Sequence, residues 1–140
     1  MALPTALQLQ IVSVDRSLVN ERVDEVEIPG ADGYFGVLPG HTPLLALLGA
    51  GELWYRQGQE KHYLLLAFGF AEVGPDQVTI LAHVAEKAEE IDVARAEAAK
   101  QRAEERLARP MVDMDAERAR IALMKSLIRL QVSTRARIRS

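Results

Sequence analysis

All nine glycines and five of the six prolines lie before residue 76, so the chain is equipped to turn sharply in its first part and hardly at all beyond it. Between these turn residues lie short runs rich in β-branched, aromatic or leucine side chains, at 7–14, 23–28, 36–38, 52–56, 62–67, 70–73 and 78–82. Seven short segments separated by signals such as Arg56-Gln57-Gly58-Gln59 and Gly74-Pro75-Asp76-Gln77 predict an all-β sandwich or barrel. The leucines of 44–48 could continue a helix, but only a few residues separate Pro43 from Gly49, and the stretch reads as loop followed by strand.

Beyond residue 85 glycine disappears, and 85–108 is built largely from Ala, Glu, Lys, Arg and Gln, which favour helix. Asp92 can cap the start of a first helix and Pro110 stops it soon after Leu107. Asp113 or Asp115 can cap a second, running to about Ser133. In the first helix Ala94, Ala98 and Ala99, with Ile91, Val93 and Leu107, leave a narrow face of small residues. In the second, Ile121, Leu123, Met124, Leu127, Ile128 and Leu130 make a broader one. A short connection between two such helices predicts an antiparallel αα-hairpin. The fold class expected is therefore α+β: an N-terminal antiparallel β-sandwich, residues 1–85, followed by a C-terminal antiparallel two-helix hairpin, residues 86–140.

Charge divides at the same place. Residues 1–85 carry 10 acids and 4 Lys+Arg, residues 86–140 carry 10 acids and 13 Lys+Arg, and from Arg118 onward there are seven Lys+Arg and no acid. A basic end on an acidic body suggests two ends that touch different things. Nucleic acid is disfavoured, because the basic tail has no aromatic residue for base stacking and the pI is about 5.6. With no cysteine, disulfide frameworks and thiolate chemistry are excluded. His41, His62 and His83 fall into no metal-ligand spacing, the glycines of 30–40 form no phosphate-loop motif, and the carboxylates Glu86, Glu89, Glu90 and Asp92 sit where negative charge favours a helix start. No catalytic residue and no metal site are expected. The N-terminus lacks the pattern of a signal peptide, and the longest apolar run, Tyr63–Ala71, is too short to span a bilayer, so no direct membrane insertion is expected.

The stretch Gly33-Tyr34-Phe35-Gly36-Val37-Leu38-Pro39-Gly40-His41-Thr42-Pro43-Leu44, followed by Gly69-Phe70-Ala71-Glu72-Val73, Val78-Thr79-Ile80-Leu81-Ala82 and Ile91-Asp92-Val93-Ala94-Arg95-Ala96, resembles the epsilon subunit of the rotary F-type ATP synthase, bacterial type. The resemblance covers almost the whole chain. It implies a non-catalytic subunit of the central stalk, which couples proton-driven rotation to ATP synthesis and inhibits ATP hydrolysis through a mobile hairpin. The implied partners are the gamma subunit, the c-subunit ring and, with the hairpin extended, the alpha/beta catalytic head. The implied location is the cytoplasmic face of the bacterial inner membrane, as a peripheral subunit. A stand-alone ATP-sensing module is the alternative reading.

The resemblance also implies particular residues. In several bacterial members the Ile91–Ala96 pattern marks a regulatory ATP site, to which Asp92 and Arg95 correspond directly, with Glu86 upstream and Arg129 on the second helix. Lys125 stands one turn earlier, where ATP-binding relatives place arginine, and a lysine offers a point charge in place of a bidentate phosphate fork, which implies weaker affinity. The resemblance thus implies ATP as a regulatory ligand, with no cofactor required. On helix chemistry alone, Asp92 serves equally as an N-cap and Arg95 as its i, i+3 partner. Tyr34 stands where some relatives carry an acidic residue facing the c ring, and His41 lies in the turn that contacts gamma, so both are interface candidates.

Overall fold

The computed structural model describes residues 3–108 and 115–139, with side chains as far as residue 136. Pro110 and Asp113, expected to stop one helix and cap the next, lie outside the described residues. The chain divides into two compact units, Met1–Lys87 and Ala88–Ser140.

The first unit has seven strands: β1 Leu7–Ser13, β2 Ser17–Val23, β3 Glu25–Gly30, β4 Gly33–Val37, β5 Leu44–Gln57, β6 Glu60–Val73 and β7 Gln77–Lys87. They form one hydrogen-bonded sheet in the order β2-β1-β7-β6-β5-β3-β4. Every neighbouring pair is antiparallel except β1 and β7, which run parallel. All seven strands contribute to a single core, including Leu18 and Val23 from one edge and Val37 from the other. Edge strands can share a core only if the sheet folds over on itself, and that makes the sandwich. Strict alternation supplies the inner layer: in β1, Leu7, Leu9 and Ile11 are fully buried while Gln8 and Gln10 face water.

The strand count matches expectation while the segments do not. β2 carries Asn20, Glu21 and Arg22 on its exposed stretch, so its composition resembles a loop although Leu18, Val19 and Val23 are buried. Conversely, 44–48 and 52–56 belong to one long strand, as do 62–67 and 70–73. Gly49, Gly51 and Gly69 read as punctuation in the sequence, yet pairing continues through them. Gly69 is required by contact: a Cβ there would land on the Leu81 carbonyl oxygen and 3.0 Å from the Ala82 Cα, and its φ is 122°. The residue before it, Phe68, adopts φ 62°, a left-handed conformation that costs an L side chain about 1–2 kcal/mol. The β5–β6 connection is a two-residue hairpin closed by the Gln57–Glu60 pair, with Gly58 at φ 63° donating its N–H to Asp24 at 2.6 Å.

The second unit opens with a short 3-10 helix, Ala88–Glu90, followed by α1 Val93–Ala108 and α2 Ala116–Arg139, which pack along one another. Each α-helix is capped by an aspartate: Asp92 accepts from the Arg95 N–H at 3.0 Å and Asp115 from the Arg118 N–H at 3.1 Å. The buried positions differ from the expected apolar faces. Ala96 and Ala103 on α1, and Ala119, Ser126 and Ser133 on α2, are buried and recur every seven residues, while Leu127 is exposed and Ile121, Leu123, Met124, Ile128 and Leu130 are half-buried. Small side chains let two helix backbones approach closely and leave the longer ones at the margins of the contact. Ser126 fits this buried place because its hydroxyl donates to the Ala122 carbonyl at 2.9 Å, within its own helix.

Replacing Gly69 by alanine introduces both a clash with the β7 backbone and an unfavourable φ. The expected loss is about 3 kcal/mol of unfolding free energy, read from a denaturant titration of Gly69→Ala beside wild type.

Candidate binding surfaces

Strand register assembles a surface that no single segment contains. Leu47 lies opposite Phe70, Phe70 opposite Leu81, and Leu81 opposite Val12, so four adjacent strands present one apolar rung on the outer side of the sheet. Leu47 is 60% exposed, Phe70 49% and Leu81 52%, and Leu45 in the next rung is 71%. That next rung continues through Glu72, Thr79 and Gln10, leaving Glu72 as the single formal charge among the eight positions. A groove of about 310 Å³ runs along the rung, between Val12, Val14, Phe70, Leu81 and His83. Isolated exposed leucines are ordinary, but a contiguous apolar rung on a chain with 26% charged residues is a candidate binding surface. Reading segments singly misses it, since its members lie in four separate stretches of sequence.

The first interface candidate, Tyr34, lies on β4 and is 56% exposed, yet its position is fixed. The β3–β5 register breaks between Glu27 and Gly30, so β5 bows away from β3, and the backbone N–H of Glu52 donates to the Tyr34 hydroxyl at 3.2 Å. A Cβ on Gly51 would land on that hydroxyl and 2.9 Å from the Pro29 Cβ, so glycine is needed for the ring to settle there. His41 lies in the following turn. Its N–H donates to the Leu38 carbonyl at 3.2 Å, and its Nδ1 lies 2.6 Å from the Thr42 carbonyl oxygen, a contact that places the ring proton on Nδ1. Both candidates are thus presented by well-ordered backbone: the neighbouring Gly40 N–H is bound to the Pro75 carbonyl at 2.7 Å.

The phosphate-site candidates divide between the two units. Glu86 is on β7, half-buried, and its cross-strand neighbour Leu65 is also the neighbour of Glu52, so two carboxylates flank one leucine across three strands. Glu52 is 4% exposed, and an acid inside the apolar stretch Ala50–Tyr55 was the sequence signal for it. Asp92 and Arg95 come together in the first turn of α1, where the Asp92 carboxylate is engaged as the helix cap. Lys125 and Arg129 stand four residues apart on α2, on one face and both half-buried. Among the described residues no group of three or more His, Asp or Glu side chains could hold a metal ion, and no helix is long and apolar enough to cross a membrane.

Comparison with known proteins gives consistent matches over both units. Residues 6–88 match the model of the ATP synthase delta/epsilon chain β-sandwich domain, and residues 89–134 that of the delta/epsilon chain long α-helix domain. The ATP synthase epsilon chain of Syntrophobacter fumaroxidans is 49% identical over 127 residues, covering 91% of this chain and 95% of the relative. That of Solibacter usitatus is 46% identical over 128 residues, covering 91% and 96%. Among solved structures, a chain of the Euglena gracilis mitochondrial ATP synthase with its c-ring superposes with a TM-score of 0.81 at 26% identity, covering 99% of this chain and 84% of that one. A chain from the central stalk and c-ring of the Tetrahymena thermophila mitochondrial enzyme shares the fold, with a TM-score of 0.56 at 13% identity, covering 96% and 98%.

The Asp92 cap gives a prediction independent of any ligand. Asp92→Ala should weaken the start of α1 by about 1 kcal/mol, seen as faster amide hydrogen exchange over residues 93–96, while Asp92→Asn should keep most of the protection.

Proposed function

The chain belongs to the delta/epsilon family of ATP synthase subunits, as an epsilon chain, and from that premise we propose how its two units divide the work of a non-catalytic stalk subunit. The sheet unit holds the rotor. Its apolar rung through Leu47, Phe70, Leu81 and Val12 docks against the gamma subunit, and this exposed rung is the observation that carries the reading. The Tyr34–His41 end meets the c ring and gamma, with the Tyr34 ring presented in one orientation by its bond to Glu52. A stalk subunit must transmit torque without slipping, and an apolar rung on a continuously paired sheet is a stiff surface for that purpose. The assembled subunit is peripheral to the membrane, on the cytoplasmic face in a bacterium.

The helical unit inhibits. Its α2 carries Arg118, Arg120, Lys125, Arg129 and Arg135, and extended along gamma these cations meet acidic surfaces of the catalytic head and stop hydrolysis. The unit is suited to exchanging partners, because among its buried described residues Val132 is the one larger aliphatic side chain and the others are alanines and serines, each of which contributes little apolar burial. Removing residues 88–140 should raise ATP hydrolysis by the reconstituted complex severalfold, while gamma still co-purifies with residues 1–87. Unchanged hydrolysis would remove the inhibitory role.

ATP regulates this exchange. Lys125 and Arg129, one turn apart and half-buried on α2, offer two cations to a polyphosphate, with Arg95 and Asp92 of the same unit completing the site. Titration calorimetry of the whole chain should show ATP binding that Arg129→Ala weakens at least tenfold. No heat up to millimolar ATP would eliminate the site.

A further inference from the structure

Phe68 is, among the described residues, the one non-glycine with positive φ, at 62°. The cause lies next to it. Gly69, at φ 122°, passes so close to the Leu81 carbonyl that the strand bends to keep Ala67 opposite Val84 and Gly69 opposite Ala82. A glycine at position 68 would make the same bend without penalty. The ladder makes no use of the ring, Phe68 is outside the core cluster, and it is 39% exposed beside the 49% exposed Phe70. A bulky aromatic held in a disfavoured conformation, outside the core cluster and still 39% exposed, is a strained residue at a surface, and such strain collects where function requires it.

We infer that Phe68 is a pre-positioned anchor of the docking face, inserted into an apolar pocket of the gamma subunit. This rests on the proposed docking of the Leu47–Phe70–Leu81 rung and adds to it the residue that fixes where the partner lands. The chemistry of the partner follows from the face. Its two described rungs carry one formal charge, Glu72, at one end, so the complementary surface is apolar with a basic residue opposite Glu72. An aromatic side chain with two rotatable bonds, already partly enclosed by its own chain, loses little freedom on binding, which is the property of an interface hot spot.

The test uses the full chain and the gamma subunit of the same synthase, measuring the dissociation constant of the pair and the thermal midpoint of the free chain. Phe68→Gly should raise the dissociation constant at least about tenfold and leave the midpoint equal to or above wild type. Wild-type affinity in this variant overturns the inference, and so does a lowered midpoint, since the ring would then be supporting the fold. The double variant Leu47→Asp/Leu81→Asp, at exposed positions the fold tolerates, separates this from the premise. If it binds gamma as wild type does, the docking face itself is wrong. If it loses binding while Phe68→Gly does not, only the anchor is wrong.

Discussion

Strand β6 is paired on both sides along most of its length, to β5 from Val73 to Glu60 and to β7 from Val73 to Leu64. That double pairing fixes everything else in the sheet unit. It places Leu64, Leu66, Ala71 and Val73 in the common core, and it aligns Leu47, Phe70 and Leu81 on the outside. A one-residue slip would exchange the two sets, burying what should be exposed across three strands at once. The pairing also demands Gly69, because two backbones pass there with no room for a side chain. Core, exposed apolar rung and the Phe68 bend are therefore consequences of one ladder.

The two units use different physics. The sheet unit buries large aliphatic side chains contributed by all seven strands, which gives it a stability set by its own core. Among its described residues the helical unit buries Val132 and otherwise alanine and serine, and its helices begin at aspartate caps that contribute locally. Such a unit has a weaker hold on its own arrangement, which suits a part whose proposed role is to change partners.

Much of this was legible in the sequence wherever the determining interaction is local. The glycine and proline partition separates strand-forming from helix-forming sequence, and the caps at Asp92 and at Asp115, one of the two aspartates offered for the second helix, were legible because a cap needs only three residues. What failed was non-local. β2 looked like a loop because its polar middle faces water, and nothing in Ser17–Val23 reveals that Leu18, Val19 and Val23 meet a core made elsewhere. Gly49, Gly51 and Gly69 looked like chain breaks because the contacts that require glycine there come from Gly30, Tyr34 and Leu81, each distant in sequence. No local signal marks Ser126 and Ser133 as buried, because the seven-residue spacing they share with Ala119 acquires meaning only against another helix. Among site residues, Tyr34 and His41 stood out through their motif, whereas the Leu47–Phe70–Leu81 rung exists only once register is known.

The hydroxyl of Ser126 is spent on the Ala122 carbonyl of its own turn, and the residue is fully buried. If α1 and α2 part, that hydrogen bond goes with α2 intact, and at this point the departing surfaces leave no polar atom orphaned. Separation there is resisted by dispersion and hydration alone, forces that fade within the width of a water molecule. At this point the contact between the helices is therefore short in range, falling off steeply once the two surfaces separate.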